Sequence, residues 1–320
     1  MKSILDIKDL KIGFTTDEAF IQAVDGVSLQ IKEGETLGLV GESGCGKSVT
    51  ALAIMRLLSE KTKISGQIHF MGEDILAKSE REMEKIRGDK VSMIFQDPMT
   101  SLNPVLTIAE QIQEVIRYHQ GGTKKEIKQR AIDLMNMVKI PDGERRIEEY
   151  PHQMSGGIRQ RIMIAMALAC NPELLIADEP TTALDVTVQA QILALIRELQ
   201  QKLNTAVLLI THDLGVIAQV ADRVAVMYAG QIVEYAEVEE IFATPKHPYT
   251  VGLLETIPSL DHEGGDLKEI KGIVPDLAQK ISGCRFEPRC SKAMERCKTE
   301  GVQLLDVDDR KVRCLLFYVE

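Results

Sequence analysis

The amino-acid sequence predicts an α/β fold followed by a smaller, irregular C-terminal part. Short segments with strand character alternate with longer helical segments over about residues 3–240, as expected for a parallel sheet covered by helices. One segment, Leu174–Ala177, is apolar throughout, which is typical of a central parallel strand. Beyond about residue 240 the periodicity fades, and prolines and four of the six cysteines accumulate. We therefore expect a domain over residues 1–243 and an extension over residues 244–320, with a linker around Asp261–Asp266.

The N-terminal part of the chain is predicted to be rich in β-strands. Residues 3–40 alternate apolar and polar positions, with turn signals at Asp25-Gly26 and Glu33-Gly34. This pattern predicts strands within residues 3–40, the last of them over 36–40. A helix over 49–58 and strands over 66–70 and 91–95 are predicted to follow.

A helical block occupies the middle of the chain. From about Leu106 to Leu168 apolar residues recur at helical spacing, with breaks at Pro141, Gly143 and Pro151. We expect this block, at about residues 104–170, to be an inserted helical subdomain. The later predicted elements are a strand over 174–177, an amphipathic helix over 186–203, a strand over 206–210, and a hairpin with strands over 224–228 and 231–235.

The bulk composition limits the class of partner. The net charge is −10 and 44% of the residues are apolar, which argues against a nucleic-acid partner, because such surfaces carry clustered Lys and Arg. The first residues contain no apolar stretch of the kind that directs secretion. Apolar runs such as Ala165–Cys170 are too short to span a bilayer. We expect a cytosolic protein that reaches a membrane only by docking onto other subunits.

A glycine-rich loop between a predicted strand and a predicted helix carries the strongest chemical signal. Residues 41–48 match the pattern G-x-x-x-x-G-K-S/T, in which backbone N–H groups cradle phosphates at a helix N-terminus. Lys47 would reach the β- and γ-phosphates, and the Ser48 hydroxyl would bind Mg²⁺. An ordinary glycine-rich turn is the alternative, and the flanking elements argue against it. The candidate ATP-binding residues are Gly41, Ser43, Gly44, Cys45, Gly46, Lys47, Ser48 and Val49.

Two adjacent carboxylates follow the apolar strand over 174–177. Asp178, at the tip of this strand, would hold Mg²⁺ through water, and Glu179 would polarise the attacking water as a general base. Two acidic residues also suit the end of an ordinary strand. The phosphate loop upstream favours the catalytic interpretation.

A third motif lies between the phosphate loop and the two carboxylates, where the turn Ser155-Gly156-Gly157 opens a predicted helix. This order of motifs resembles that of the ATP-binding-cassette (ABC) family. The turn is similar to the LSGGQ signature of that family, although Met154 and Ile158 depart from the consensus Leu and Gln. In the family this signature closes over the ATP of a second cassette. The resemblance therefore implies an ATPase that needs a second cassette as its partner.

Four more positions match motifs of the ABC family. Asp185 resembles the D-loop aspartate and would also cap the following helix. His212 resembles the switch histidine, which would hydrogen-bond the γ-phosphate. Gln96 resembles the Q-loop glutamine, which would contact Mg²⁺ and the lytic water and would link the site to a transmembrane partner. For the adenine ring, Phe14 matches by position the aromatic residue upstream of the phosphate loop, with Phe20 as the rival.

The resemblance implies the fold of a P-loop NTPase. This fold has a RecA-like α/β core, an N-terminal antiparallel β subdomain, the inserted helical subdomain and, here, the C-terminal extension. Two cassettes, identical or merely related, would pair face to face. They would act with two transmembrane permease subunits and, indirectly, with an extracytoplasmic peptide-binding protein. The chain would then be cytoplasmic and peripheral on the inner face of the cell membrane.

The four C-terminal cysteines form a separate candidate site. Their spacing is C-x5-C-x6-C-x16-C, at Cys284, Cys290, Cys297 and Cys314. In a cytosolic protein such a group is more often a metal or redox site than a set of disulfides. The spacing lacks the close knuckle of zinc sites and matches neither usual ferredoxin pattern. Zinc, an iron–sulfur cluster and free thiols therefore all stay open.

The residues around these cysteines resemble the C-terminal extension of ATP-binding subunits from dipeptide and oligopeptide importers. The resemblance rests on His247-Pro248-Tyr249-Thr250 and on the run Gly-Cys-Arg-Phe-Glu-Pro-Arg-Cys at 283–290. In members of that family the extension carries a 4Fe-4S cluster on four cysteines. The resemblance implies such a cluster here, in a structural role, with zinc as the alternative. It also implies that the chain powers import of di- or oligopeptides.

Three other functions stay open from the sequence. Related subunits whose cargo is nickel or another small solute share the same motifs. Soluble ABC ATPases of DNA repair or translation are a second alternative, although their coiled-coil insertions, tandem cassettes and basic surfaces are not visible here. A regulatory module, in which the cysteine site gates the ATPase, is the third.

Overall fold

The computed structural model describes residues 2–16, 19–96, 101–182, 184–256, 269–279 and 281–318. The linker predicted around Asp261–Asp266 lies outside these residues. The chain divides into two compact units, of which the first comprises residues 1–4, 31–35 and 77–209. The second comprises residues 5–30, 36–76 and 210–320. Both units are discontinuous in sequence, and the domain boundary expected near residue 243 stays a prediction.

The elements alternate between strands and helices, as the sequence predicts. The strands are β1 (Ser3–Thr15), β2 (Phe20–Lys32), β3 (Thr36–Val40), β4 (Lys63–Phe70), β5 (Glu73–Asp74), β6 (Val91–Ile94), β7 (Leu174–Asp178), β8 (Ala206–Thr211), β9 (Arg223–Tyr228), β10 (Gln231–Glu237), β11 (Leu305–Val307) and β12 (Arg310–Val312). The α-helices are α1 (Lys47–Ile54), α2 (Glu80–Ile86), α3 (Ile108–His119), α4 (Lys124–Met137), α5 (Gly143–Arg146), α6 (Gly156–Ala167), α7 (Val186–Leu203), α8 (Leu214–Val220), α9 (Val238–Ala243) and α10 (Pro248–Glu255).

A four-stranded sheet forms the N-terminal part of the second unit, in the order β2-β1-β4-β5. Strand β4 runs antiparallel to both β1 and β5, which confirms the predicted antiparallel subdomain. The buried residues of β1 alternate as Leu5 and Ile7, then shift to Leu10 and Ile12. A β-bulge between Lys8 and Lys11 inserts the extra residue and returns the later apolar side chains to the buried face.

A second group of strands in the same unit has the order β11-β12-β10-β9-β3. Strand β3 pairs in parallel with β9, and β9 and β10 form the predicted hairpin, with Tyr228 opposite Gln231. The C-terminal extension is less irregular than expected, because its strand β12 pairs antiparallel with β10. Strands of three residues are too short to show a period of two, so the sequence pattern does not reveal them.

An aromatic cluster joins this hairpin to the extension. The Tyr228 and Tyr249 rings lie 4.6 Å apart between centroids, and Phe286 lies 5.1 Å from Tyr228 and 5.4 Å from Tyr249. All three side chains are buried. Ring pairs of this kind add to the free energy gained by burying apolar area. The extension therefore shares an apolar core with β9.

The first unit contains strands in the order β8-β7-β6 and most of the helices. Strand β6 pairs in parallel with β7, and every residue of β7 is buried, as expected for a central strand. Helices α3, α4 and α6 pack on one another within the block predicted to be helical. The three helices α2, α3 and α4 begin with reciprocal capping boxes at Ser79–Glu82, Thr107–Glu110 and Thr123–Glu126. Among the described residues, no helix combines the length and apolar character that a membrane span requires.

Candidate functional site

The glycine-rich loop lies between β3 and α1, where the sequence places it. Helix α1 begins at Lys47, two residues before the predicted start at Val49. Gly46 precedes it with a left-handed φ of 106°, and a Cβ there would lie 2.6 Å from the Ala23 carbonyl oxygen. At Gly41, a Cβ would lie 2.0 Å from the carbonyl oxygen of Met227. Glycine is therefore required at both ends of the loop by close backbone contact.

The Lys47 ammonium is held inside this loop. Its Nζ donates to the carbonyl oxygens of Gly41 and Glu42, at 2.7 and 3.1 Å. The side chain is buried, whereas Ser43 and Gly44 on the outer part of the loop are exposed. Phosphate oxygens would compete with these two carbonyls for the ammonium, and charged oxygens are the stronger acceptors. The loop thus holds the positively charged Lys47 ammonium at the N-terminus of a helix. Both the ammonium and the helix N-terminus favour the binding of an anion there.

Cys45 is a second buried side chain of the loop, beside Lys47. Burial raises the pKa of its thiol, although the neighbouring Lys47 charge opposes the change. The thiol stays protonated near neutral pH and acts as a small packing group against Gly41. Ser48 is half-buried in the first turn of α1, and Val49 follows it there.

The two predicted carboxylates lie at the carboxyl end of β7. Asp178 is buried at the end of the strand, and Glu179 follows with a left-handed φ of 46°. Its Oε2 accepts hydrogen bonds from Gln96 Nε2 at 2.9 Å and from the Thr182 hydroxyl at 2.9 Å. Since β6 and β7 are parallel neighbours, their carboxyl ends meet, and Gln96 just after β6 reaches Glu179. The structure brings together two residues that the sequence analysis selected separately.

Thr182 is a residue of this site that sequence reasoning missed. It lies in a turn that the Thr182 N–H closes on the Glu179 carbonyl oxygen at 3.1 Å, which places its hydroxyl against the Glu179 carboxylate. In the sequence, Pro180 between Glu179 and Thr182 could have indicated this turn, because proline favours such turns. The strained backbone at Glu179 and its two donors fix the direction of this carboxylate.

The Ser-Gly-Gly turn lies at the start of α6, as predicted. Ser155 is the N-cap residue in extended conformation, and Ser155 and Gly156 are exposed. Gly157 lies against helix α7, where a Cβ would be 2.9 Å from Val188 Cγ1. Asp185 caps α7 by accepting from the Val188 N–H at 3.0 Å, so its expected capping role is confirmed. Two exposed backbone positions at a helix N-terminus form a surface suited to an anion.

The last candidate residues lie at separate places in the second unit. His212 is exposed directly after β8, and the next residue, Asp213, caps α8. Phe14 is half-buried in β1. The Phe20 ring lies directly over Gly13, and the Lys63 ammonium is 5.2 Å from its centroid. The contact of either ring with an adenine stays a prediction.

The four C-terminal cysteines form one neighbourhood in the extension. The N–H of Cys284 donates to the carbonyl oxygen of Cys297 at 2.7 Å, and Cys297 and Cys314 are buried. The pKa of the Cys314 thiol is raised to about 11, chiefly by burial and also by the other three thiols, against the opposing effect of a backbone hydrogen bond at Leu316. Burial likewise raises the pKa of Cys284 and of Cys290. Within the described ranges, no group of three His, Cys, Asp or Glu side chains is arranged to hold a single metal ion.

Comparison with known proteins decides the family. The model described as "ABC transporter" matches residues 24–182, and the model described as "Oligopeptide/dipeptide transporter, C-terminal region" matches residues 233–297. The oligopeptide transport ATP-binding protein AppD of Bacillus subtilis (strain 168) is 55% identical over 323 residues, which cover 100% of this chain and 98% of that protein. This chain belongs to the ATP-binding cassette (ABC) transporter family. The cassette is therefore an ATPase, for which ATP and Mg²⁺ are the expected ligands.

Two further similarities extend over most of the cassette. The oligopeptide transport ATP-binding protein OppD of Salmonella typhimurium (strain LT2) is 50% identical, over 92% of this chain and 88% of that protein. A dimeric post-hydrolysis structure of the ATP-binding cassette MJ0796, bound to ADP and Pi, has a TM-score of 0.66. It is 30% identical and covers 73% of this chain and 98% of that one. These comparisons confirm the predicted family and the predicted P-loop fold.

Proposed function

We propose that this cassette hydrolyses ATP to power uptake of di- or oligopeptides through separate membrane permease subunits. The proposal that the cargo is a peptide rests on the match of residues 233–297 to the C-terminal region of oligopeptide and dipeptide transporters. The chain would be peripheral on the inner face of the membrane, docked on two permeases. A peptide-binding protein would deliver the cargo from outside.

Reconstitution tests the cargo. The cassette is assembled in vesicles with candidate permease subunits and a peptide-binding protein, and ATP hydrolysis is measured with each candidate cargo. Peptide-loaded binding protein should raise the ATPase rate, whereas nickel should leave it unchanged. Stimulation by nickel alone would contradict peptide as the cargo while leaving the ATPase assignment intact.

In the proposed mechanism the phosphate loop binds ATP by an exchange of hydrogen bonds. Lys47 leaves the carbonyl oxygens of Gly41 and Glu42 for the β- and γ-phosphates, while backbone N–H groups of the loop and of α1 face the same oxygens. Ser48 and Asp178 would hold Mg²⁺, which supplies charge neutralisation on the phosphates when bound. Both residues carry oxygen ligands of the kind that Mg²⁺ prefers.

Glu179 is the proposed general base. Its carboxylate is held by Gln96 and Thr182, both of which donate to Oε2, and these two hydrogen bonds fix the direction of the group that would accept a proton from water. Gln96 would contact the same water and Mg²⁺, and His212 would stabilise the γ-phosphate. Glu179→Gln keeps the size of the side chain and removes its basicity.

The test of this role separates hydrolysis from binding. Glu179→Gln should lower the ATPase rate by about 10²-fold or more and preserve ATP-dependent dimerisation. The matched control is Glu198→Gln, which removes an exposed carboxylate that pairs with Lys139 and should keep the wild-type rate. Unchanged hydrolysis in Glu179→Gln would remove this residue from the role of base.

The second half of the composite site would come from another cassette. The exposed N-terminus of α6, with Ser155, Gly156 and Gly157, would close over the ATP bound by its partner, and Asp185 would lie along the interface. The partner is either a second copy or a related cassette. Size-exclusion chromatography of Glu179→Gln with ATP distinguishes them, since a homodimer forms from the purified chain alone.

The extension is the proposed site of a 4Fe-4S cluster on Cys284, Cys290, Cys297 and Cys314. Its support is the resemblance of the surrounding residues and the shared neighbourhood of four thiols free of disulfides. A zinc ion draws four sulfurs to about 2.3 Å from one point, whereas a four-iron cluster is ligated by more widely spaced thiolates.

Metal analysis of anaerobically purified cassette tests this proposal. Iron and acid-labile sulfide should be present in about equal amounts, and Cys284→Ser should lose both. Cys170→Ser is the matched control, because Cys170 is a buried thiol outside the extension. Zinc without sulfide would establish the alternative metal.

A further inference from the structure

One residue of the phosphate loop carries a carboxylate, whose negative charge would oppose the binding of a polyphosphate. Glu42 is the second residue of the loop and lies next to Gly41. An uncompensated negative charge near the phosphates would repel ATP, since two like charges a few ångströms apart interact strongly at a partly buried site. The charge of Glu42 therefore has to be neutralised by a cation other than Lys47, whose ammonium is the ligand for the phosphates.

That cation comes from the extension. Arg289 Nη1 donates to both oxygens of the Glu42 carboxylate, at 3.0 and 2.9 Å. The Arg289 side chain is only 5% exposed, and that of Glu42 is 28% exposed. A partly buried, charge-assisted pair of this kind is stronger than a surface ion pair.

The guanidinium of Arg289 is itself fixed in place. Its Nε donates to the Lys271 carbonyl oxygen at 3.1 Å, and Nη2 donates to the Ile270 carbonyl oxygen at 3.0 Å. Its Cζ lies 5.7 Å from the centroid of the Tyr228 ring. A planar guanidinium satisfies these directions together, which a lysine ammonium cannot do.

The main chain of Glu42 is also held from the extension. The Glu42 N–H donates to the hydroxyl oxygen of Tyr249 at 3.0 Å, and Tyr249 is fully buried. Both the charge and the backbone of this loop residue are thus fixed by groups beyond residue 243. A loop held this way loses less conformational entropy when it binds ATP.

A second arginine of the same turn contacts the hairpin that lies beside the loop. Arg285 donates to the carbonyl oxygen of Ala229 and to the carboxylate of Asp25. The adjacent Gly230 N–H donates to the Cys45 carbonyl oxygen at 2.9 Å. The turn over 284–290 therefore contacts Glu42 directly through Arg289 and is connected to Cys45 through Ala229 and Gly230.

We propose that Arg289 is a positioning residue for ATP binding, which neutralises Glu42 and fixes the phosphate loop from the extension. The inference rests on the proposed role of residues 41–48 in binding ATP. It assigns the extension a direct part in nucleotide affinity. It requires no cluster chemistry, because the arginine acts through its hydrogen bonds alone.

A double-mutant cycle on Arg289 and Glu42 tests the proposal, with the Kd for ATP measured by calorimetry. Arg289→Ala should weaken ATP binding about tenfold, because it leaves the Glu42 charge uncompensated. In the Glu42→Gln background the same substitution should change the Kd by less than about twofold. Arg289→Lys should be intermediate, since it keeps the charge and loses the fixed geometry.

The matched control is Arg310→Ala. Arg310 is a buried arginine of the same extension that pairs with Glu234 and Glu240 and donates to the Thr244 carbonyl oxygen, and none of these three residues belongs to the phosphate loop. This variant should lower the melting temperature and leave the Kd for ATP unchanged. An Arg289→Ala effect that persists in Glu42→Gln, or that Arg310→Ala reproduces, would overturn the proposal.

Lys47→Ala in the same assay separates the role of the phosphate loop in binding ATP from the positioning role of Arg289. Loss of ATP binding in this variant supports the role of the phosphate loop. If Lys47→Ala abolishes binding and Arg289→Ala leaves it unchanged, the positioning role fails and the proposed function stands. If Arg289→Ala does not fold, Arg289→Lys carries the cycle with the same expected dependence on Glu42.

Discussion

A buried histidine predicts a specific loss of stability at low pH. His247 lies at the N-cap of α10, where its Nδ1 accepts from the Tyr249 N–H at 3.0 Å and its main-chain N–H donates to Glu234 Oε2 at 2.9 Å. Burial lowers the pKa of its imidazole from 6.5 to about 3, a backbone hydrogen bond with Arg313 opposes this change, and the Arg313 charge adds to it. The native cassette therefore holds this histidine neutral.

The direction in which pH changes the free energy of unfolding follows from proton linkage. The unfolded chain binds a proton at His247 below its ordinary pKa, whereas the native chain does so only near pH 3. The stability contributed by the neutral imidazole is full above pH 6.5 and is lost as the pH falls toward 3. Each pH unit in this window costs about 1.4 kcal/mol, so the free energy of unfolding should fall by about 2 kcal/mol from about pH 7.5 to about pH 5.

The assay compares wild type with His247→Asn by urea unfolding at both pH values. Asparagine is a good N-cap acceptor and does not titrate, so the variant should lack this part of the pH dependence. His152→Asn, at an exposed histidine, should keep the wild-type dependence. Identical pH dependence in wild type and His247→Asn would refute the assignment of this loss to the buried imidazole.

Three further predictions concern the turn at Glu179 and Thr182, the start of α6 and the N-cap of α7. Thr182→Ala removes the hydroxyl that donates to Glu179 and should lower kcat about tenfold at unchanged ATP affinity, while Thr182→Ser should restore the rate. Gly157→Ala places a Cβ 2.9 Å from Val188 Cγ1 and should lower the free energy of thermal unfolding by about 1–3 kcal/mol. Val188→Ala in the same chain should recover most of this loss, and no recovery would point to another cause. Asp185→Ala should cost about 1 kcal/mol through loss of the α7 cap, and Asp185→Asn should cost far less; equal losses would show that the cap is not responsible.

Sequence patterns predict the catalytic motifs because each is a local arrangement. The phosphate loop, the end of β7 and the Ser-Gly-Gly turn all depend on residues a few positions apart, and the structure places them at the expected strand and helix ends. The hydrogen bond between Gln96 and Glu179 is less obvious, since it follows from the parallel pairing of β6 and β7.

Other features have no periodic signal. The ion pair of Glu42 and Arg289 joins residues 247 positions apart, and only the tertiary fold makes it visible. The bulge in β1 breaks the alternation that identifies a strand. Helix α1 begins at Lys47 rather than at Val49, directly after Gly46, whose left-handed backbone lies outside the α-helical region.

The pairing of β12 with β10 affects how the chain can be divided. A truncation at residue 243 would remove β12 and leave the buried strand β10 with an unpaired edge of N–H and C=O groups. Such an edge is a template for pairing with other chains, so the shortened protein should form aggregates instead of an isolated cassette. We therefore expect the extension to protect the edge of β10 from pairing with other chains.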